Sequence, residues 1–458
     1  MHCMCEREML LRALTISADL CRAFPDVFQV TFSARADGKT SIEVLAWQET
    51  SGVGVWATLP AEVREAGAIT VQARLAADVL KTMSGDRITL SSVQIPDPSP
   101  RSEEDRFTPL SAGPAFQIES TSLAGRRQRT RLRPVVPPAE LSLEARLSTW
   151  RPSGIPLASL EPGALRGVWE PCLLLAKKRT DPAKETPDMD HAQILCRFDP
   201  EALVCTATTR HAVAQTHLPW TRLSADVPVT HVLVDEHRLG WISQALKQET
   251  QPVTLTLVPQ ADSTALLLFS LSQVTLICRA TTAPIPLVWE RRVHAPASQV
   301  LLLSRVLLSR SLGFLAADRA HGADRSLLLQ VQDGHLCLEW HPRELAGHAA
   351  CELPLANTVP ERAPVLVHLR QFREMLRQFK EPVVCLEQGE IRLRKRAEAA
   401  ENPAPIGFVR LCQPAKETIQ MMMTITSQVP SPSQMSAPVD PAPETAEADA
   451  KGEALAPV

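Results

Sequence analysis

The sequence predicts an α+β protein of three tandem domains, each built from helices and antiparallel strands. Three observations support this: a strand–helix–strand pattern occurs three times, a hairpin pattern precedes each copy, and the chain has 458 residues. A chain of this length is too long for one ordinary core, so two to four domains are expected. One copy about every 150 residues matches the size of a domain rather than that of a solenoid repeat.

The strand–helix–strand pattern can be aligned on Val71, Val234 and Val367. After each valine, apolar residues recur at a spacing that places them on one face of an α-helix. The runs RITL, VTLTL and VVCL follow and suit strands with one buried face. The helix residues predicted to face the core are Ala76, Val79, Met83, Leu239, Ile242, Leu246, Phe372, Met375 and Phe379.

A hairpin is predicted upstream of each copy. Asp37-Gly38 and Asp333-Gly334 separate alternating runs, and Asp-Gly is a strong signal for a tight hairpin turn. The middle copy has Asp199-Pro200 instead. A helical pattern precedes every hairpin, in EREMLLRALTISADLC, ALRGVWEPCLLLAKK and ASQVLLLSRVLLSRSL. Each domain is therefore predicted to run helix, hairpin, further strands, helix and strands.

The predicted domains span residues 1–145, 146–292 and 293–417. From Thr418 the composition shifts to Pro, Ser, Ala and Glu, which predicts a disordered tail over 418–458. The segment IQMMMTI near the start of this tail has two interpretations, a locally docked piece or a mobile apolar patch.

Composition excludes several classes of protein. The hydrophobic content of 45% and charged content of 22% are those of a globular protein, and a net charge of -3 gives no overall basic signal. Eleven cysteines without a CxxC pair, no signal peptide and no long apolar run predict free thiols, a reducing cytoplasm and no membrane segment. His2, Cys3 and Cys5 lack a partner cluster, so a frayed N-terminus is favoured there over a metal site.

The sequence contains none of the common catalytic motifs. The sequence has no Walker A loop, dinucleotide-binding glycine loop, HExxH, GxSxG or acidic metal cluster. His348 and Cys351 lie close in sequence but make a weak candidate for a catalytic pair. Cys172, Cys278 and Cys337 lie in apolar runs and are predicted to be core residues. The expectation is a non-catalytic protein that needs no cofactor and no metal.

The segments CEREMLLRAL and AEVREAGAITVQARLAADVLKTMSGDRITL, with the threefold period, resemble the bacterial DNA polymerase III β subunit (sliding clamp) family over about residues 1–417. The resemblance implies a head-to-tail homodimer closed into a ring around duplex DNA, with helices inside and sheets outside. It also implies a processivity factor that docks the polymerase III catalytic subunit, the clamp loader and other partners through short peptides. Such a protein works at the nucleoid in the cytoplasm.

A sliding ring needs diffuse positive charge facing phosphates rather than base contacts. Arg370, Arg373, Arg377 and Lys380 fit one helical stripe, although an ordinary solvated helix would give the same pattern. The further DNA-contact candidates on or beside the leading helices are Arg12, Arg22, Lys177, Lys178, Arg179, Arg305 and Arg310. The arginine-rich run over 126–133 alternates as one exposed face of a strand, which fits either a DNA contact or an outer sheet face.

The resemblance also implies a peptide groove between domains 2 and 3, lined here by Thr208, His211, Val213, Pro286, His368, Val409 and Leu411. The chain departs from the family at this site, since Thr209, Arg210 and Ala212 replace its Asp, Gly and Arg. The alternative function is therefore a clamp-fold interaction or structural protein that lacks replicative partner binding.

Overall fold

The computed structural model describes residues 1–35, 41–48, 50–95, 113–121, 127–135, 154–177, 193–208, 212–224, 227, 229–260, 263–282, 294–316, 326–340, 349–361, 364–391, 406–413 and 418–423. Within these ranges the chain forms three similar units, each with eight strands and two α-helices. None of the described helices is long and apolar enough to cross a membrane.

The first unit begins with a strand and helix and continues through a hairpin to a second helix. Its helices are α1 (Arg7–Ala23) and α2 (Ala73–Thr82). Its strands are β1 (His2–Glu6), β2 (Gln29–Arg35), β3 (Ser41–Gln48), β4 (Val53–Glu65), β5 (Gly67–Gln72), β6 (Arg87–Ile95), β7 (Gly113–Thr121) and β8 (Arg127–Leu132).

The second unit repeats this order. Its helices are α3 (Pro162–Lys177) and α4 (Glu236–Ala245), and a short 3₁₀-helix (Leu246–Gln248) follows α4. Its strands are β9 (Ile155–Leu160), β10 (Gln193–Phe198), β11 (Ala202–Thr208), β12 (Ala212–Pro219), β13 (His231–Asp235), β14 (Val253–Pro259), β15 (Thr264–Ser270) and β16 (Val274–Thr281).

The third unit repeats it again. Its helices are α5 (Arg305–Leu315) and α6 (Leu369–Leu376). Its strands are β17 (Gln299–Ser304), β18 (Ser326–Gln332), β19 (His335–Trp340), β20 (Ala349–Pro354), β21 (Val365–His368), β22 (Val383–Ile391), β23 (Ile406–Cys412) and β24 (Thr418–Met423).

Each unit folds its strands into two antiparallel four-stranded sheets. In the first unit the orders are β5–β2–β3–β4 and β1–β6–β7–β8. The same two orders recur as β13–β10–β11–β12 with β9–β14–β15–β16, and as β21–β18–β19–β20 with β17–β22–β23–β24. The three units are therefore topological copies.

Strand pairing continues across the boundaries between units. β16 of the second unit pairs antiparallel with β4 of the first, and β24 of the third pairs with β12 of the second. The fourth strand of one sheet thus joins the last strand of the following unit. β20 is the equivalent of β4 and β12 in the third unit, and β8 is the equivalent of β16 and β24 in the first. Among the described strands, β8 pairs only with β7 and β20 only with β19.

A helix forms within each predicted helical segment because its apolar face is buried. The predicted core positions in all three repeats are buried except Val79, which packs half-buried against the same cluster. Caps support two helix starts: Asp235 accepts from the backbone N–H of His237 and Arg238, and Ser304 accepts from that of Leu307. The Asp333-Gly334 turn has positive φ at both residues, as a tight hairpin requires.

The apolar interior has two main parts. One cluster runs through the first two units and contains Phe32 and Trp169. A second fills the third unit, where Phe372 and Phe379 pack beside Leu312. The predicted limits near 145/146 and 292/293 fall outside the described residues.

Three expectations are corrected. His2–Glu6 is a strand held between β4 and β6, with Cys3 and Cys5 buried, and not a frayed end. Gln299–Ser304 is also a strand, so the helix of that segment begins at Arg305. Thr418–Met423 is not disordered tail, because it is hydrogen-bonded as β24 between β12 and β23. Backbone hydrogen bonds to a strand on each side order this segment, although the residues that follow it have the composition of a disordered tail. Residues 424–458 lie outside the described part.

Candidate DNA and peptide interfaces

The predicted basic stripe of the third unit lies on the solvent face of α6. Arg370 and Arg377 are exposed and Arg373 is half-buried, while Leu369, Phe372, Met375 and Leu376 form the buried face. Arg370 makes an exposed ion pair with Glu374 at 3.3 Å. The helix ends at Leu376, so Arg377 is its C-cap residue and exposed Lys380 lies beyond it, not on one helix as predicted. The stripe forms as a basic surface that continues past the end of the helix.

The arginines of α5 differ from each other. Arg305 is the first helical residue, and its Nε donates to the carbonyl of Glu381 at 3.0 Å. Arg310 is exposed in the middle of the helix. Phe314, one turn further on, is 63% exposed, which is unusual for a large aromatic side chain.

Arg12 is not available as a free cation, contrary to the prediction. Its guanidinium bonds the carboxylate of Glu249 at 2.5 Å and the hydroxyl of Ser272 at 3.3 Å. Glu249 is 2% exposed and also accepts the backbone N–H groups of Thr250 and Gln251. Arg12 therefore ties the first unit to the second, because the buried carboxylate requires a cationic partner.

The other candidates on the first two units are weaker. Arg22 is exposed but pairs with Asp19 at 2.8 Å. Lys177 is the last residue of α3, and its side chain is not described. Lys178 and Arg179 lie outside the described residues.

Helices α1 and α4 meet at the boundary between the first and second units. Phe24, at the end of α1, makes an edge contact with Trp241 of α4, with ring centroids 6.4 Å apart. A cleft beside this contact is lined by Ile16 of the first unit and by Trp241 and Leu271 of the second. The boundary thus combines a strand pair, an ion pair and an aromatic contact.

Five of the seven residues predicted to line the peptide groove are described. Thr208 and Val213 face each other across the β11–β12 hairpin and are 2% and 3% exposed. His368 is the last residue of β21 and the N-cap residue of α6. β21 belongs to the β21–β18–β19–β20 sheet, whereas Val409 and Leu411 lie in the other sheet of the third unit. His211 and Pro286 lie outside the described residues.

Val409 and Leu411 are wrongly placed by the prediction. Both belong to the apolar core of the third unit, together with Leu312 and Phe372. Because successive side chains of a strand point to opposite faces, the other face of β23 carries Phe408, Arg410 and Cys412. A shift of one residue in the strand register is enough to exchange the residues that face the core with those on the opposite face.

An ion pair that the sequence reasoning missed lies on that other face. Arg410 bonds the carboxylate of Glu387 on β22 and donates to the carbonyl of Ala295 at 3.0 Å. Both charged side chains are almost completely buried. The available signal was a single charge of opposite sign within each of two neighbouring apolar strands, in VVCLEQ and GFVRLC. In register, Arg410 lies opposite Met421 of β24, which lies opposite Val213.

The sequence matches no protein-family model and no curated protein. Solved structures do match. The pol III β of Caulobacter crescentus is 16% identical with a TM-score of 0.66, over 93% of this chain and 100% of that one. The DNA polymerase III subunit β of Pseudomonas aeruginosa is 16% identical with a TM-score of 0.65 over the same shares.

A putative DNA polymerase III β subunit from Eubacterium rectale is 12% identical, with a TM-score of 0.64 over 93% of this chain and 100% of that one. The three likenesses confirm the predicted fold. The chain has the architecture of the bacterial sliding clamps at low sequence identity.

Proposed function

We propose that this chain, which has the sliding-clamp fold, closes with a second copy into a ring around duplex DNA. In this proposal it is a non-catalytic processivity factor for a replicative polymerase and acts at the nucleoid. Its partners are the polymerase catalytic subunit and a clamp loader. The proposal rests most on one observation: β8 and β20 each have one edge that pairs with no described strand.

Two of the three possible junctions between successive units lie within the chain. At each one, a strand of the β4 type pairs with a strand of the β8 type from the following unit. A head-to-tail partner would supply the third, placing β8 of one subunit against β20 of the other. Two identical junctions of this kind close six units under a twofold axis.

The register of the third junction follows from the other two. At the existing junctions, Leu276 lies opposite Val55, and Gln420 lies opposite Ala214. The equivalent residues, found by following each sheet strand by strand, are Thr130 on β8 and Ala349 on β20. Placing Thr130 opposite the partner's Ala349 puts Arg127 opposite the partner's Glu352. Neighbouring Arg129 then lies opposite the partner's Ala350.

The charges on the two edges are complementary in this register. β8 exposes Arg127, Arg129 and Arg131 on one face, and β20 exposes Glu352 beside half-buried Glu339 of β19. Within the subunit, Glu119 contacts both Arg127 and Arg129, and the hydrogen bond from Arg127 lowers its pKa. One carboxylate against three arginines leaves positive charge for the partner's edge.

The exposed aromatic residue of α5 fits the same junction. Phe314 is the tenth residue of α5, as Ile16 is of α1. Because Ile16 lines the cleft toward the second unit, Phe314 is placed to pack against the first unit of the partner. Arg310 corresponds in the same way to Arg12, so we assign it to the subunit boundary rather than to DNA.

DNA retention tests the proposed function. Purified protein is loaded onto nicked circular DNA with a clamp loader from the same organism and passed through a sizing column at moderate salt. A ring is expected to travel with the circle and to be lost when a restriction enzyme linearises it. Equal loss from both forms would contradict encirclement.

The second candidate, a clamp-fold protein without replicative peptide docking, is favoured by the peptide region. Thr208 and Val213 are nearly inaccessible, and Val409 and Leu411 face the core. Peptide anchoring needs an open pocket that desolvates a side chain. Titration with the clamp-binding peptide of the same organism's polymerase distinguishes the two functions: micromolar binding supports the replicative clamp, and failure to bind supports the second candidate.

A further inference from the structure

The second helices of the three units allow a position-by-position comparison of charge. α2, α4 and α6 each begin directly after a strand whose pairing is equivalent, so their residues can be matched from Ala73, Glu236 and Leu369. All three also lie in the same place in their units. A difference in charge at matched positions therefore reflects a different residue type at the same place in the fold.

The third unit carries a cation at each of four matched positions. These are Arg370, Arg373, Arg377 and Lys380. The first unit has Arg74, Ala77, Lys81 and Ser84 there, and the second has His237, Gly240, Gln244 and Lys247. The number of Lys and Arg residues therefore falls from four to two to one.

Intramolecular contacts increase this difference. In the first unit, Lys81 pairs with Asp78 at 3.3 Å and Arg74 donates to the carbonyl of Cys21 at 3.0 Å. In the third, Arg370 has Glu374, but no described carboxylate lies within 4.0 Å of Arg373, Arg377 or Lys380. A cation already paired within the protein must lose that contact before it can neutralise a phosphate.

The first helices follow the same trend. Arg12 and Arg22 of α1 are both paired with carboxylates. The exposed positions described on α3 are Gly163, Ala164, Gly167, Glu170 and Leu174, none of which is cationic. The described exposed face of this helix therefore carries small residues, one leucine and one carboxylate, and no basic side chain.

We infer that DNA binding is concentrated in the third unit. There the phosphate backbone is contacted mainly by the surface that Arg370, Arg373, Arg377 and Lys380 form, called the α6 surface below. This inference rests on the ring proposed above, and it names the part of that ring which binds. In a twofold ring of six units, the two α6 surfaces lie on opposite sides of the hole. The duplex is held between them, and the other four units act chiefly as a wall.

The test compares equivalent positions in two units. The variant R370Q/R377Q removes two cations from α6 and its C-cap, and the matched control R74Q/K81Q removes two from the matched positions of α2. Binding to a short fluorescent duplex is measured over a series of salt concentrations. Thermal melting and sedimentation establish that both variants remain folded and keep the parent's oligomeric state.

Each neutralised phosphate contributes about 0.9 to the slope of log affinity against log salt. R370Q/R377Q is therefore expected to flatten the slope by up to about 1.8 per subunit. The control is expected to change it by less than half as much. Equal changes in the two variants, or a larger change in the control, would overturn the inference. An unmodified protein with no salt-dependent binding would contradict the DNA function itself.

Discussion

Arg410 and Glu387 form an ion pair between two neighbouring strands of the third unit, with their side chains only 7% and 4% exposed. Arg410 also holds the carbonyl of Ala295, on the segment that leads into this unit. The guanidinium carbon lies 5.4 Å from the centroid of the Phe408 ring. The pair thus joins two strands and the incoming chain at one buried point.

Breaking this pair on one side is expected to destabilise the protein strongly. Arg410→Met leaves the carboxylate of Glu387 buried without its cation, which typically costs about 3–5 kcal/mol. The double variant Arg410→Met/Glu387→Met removes both charges and is expected to recover most of that loss. Urea unfolding measures both free energies. A single variant as stable as the parent would show that the pair is not desolvated in solution.

Charge reversal at the proposed subunit junction is expected to control dimer formation. Arg127→Glu places like charges opposite each other at the partner's Glu352, so it should weaken the dimer, and Glu352→Arg should do the same. Combining the two reversals should restore association. Sedimentation velocity at several concentrations gives the dissociation constants, and Arg64→Glu on β4 serves as a surface control. No recovery in the double variant would contradict the proposed register.

Phe314 is expected to contribute apolar contact to the same junction. Phe314→Ser should raise the dimer dissociation constant at least tenfold without lowering the melting temperature of the subunit, because the ring is exposed when the subunit is alone. Leu223→Ser is a matched control, since Leu223 is also a large exposed apolar residue but lies on the second unit, which takes no part in this junction. Equal effects of the two changes would remove Phe314 from the interface.

Truncation is expected to separate β24 from the chain that follows it. Ending the chain after Met423 keeps β24, so the fold should be retained. Ending it after Glu417 removes a strand bonded on both sides and should loosen the junction between the second and third units. Circular dichroism and limited proteolysis compare the two. Equal stability would mean that β24 adds little to the junction.

The buried thiols are expected to be unreactive in the native protein. Burial raises the pKa of Cys172 and Cys278 to about 12, so almost no thiolate is present at neutral pH. Only Cys337 and Cys351 are half-buried, and they should be the two that react with a maleimide at pH 7.5. Mass spectrometry counts the adducts. Rapid labelling of more than two would show that the core opens.

The same raised pKa values set a dependence on alkaline pH. In the unfolded chain these thiols ionise from about pH 9, whereas in the folded protein they stay protonated until about pH 12. Above pH 9 the unfolded state therefore binds fewer protons, and stability falls as pH rises. Urea midpoints at pH 8 and pH 10 test this. Cys278→Ala should reduce the dependence.

Local patterns in the sequence determined much of the fold. The spacing of Leu239, Ile242 and Leu246 predicted one helix, and Asp333-Gly334 predicted a hairpin turn; both are present. The threefold repetition predicted three units of the same kind. These features depend on side-chain period and turn chemistry, which act over a few residues and are therefore readable from the chain.

Only the tertiary structure decided which charged and apolar side chains are free to act. Arg12 looked like a DNA contact until the fold placed it against Glu249, 237 residues away in sequence. Val409 looked like a groove residue, but the pleat of β23 turns it into the core and gives the other face to Arg410. The segment after Thr418 looked like disordered tail, yet two neighbouring strands hold it. Residue type and local spacing do not specify long-range partners, which depend on how the whole chain packs.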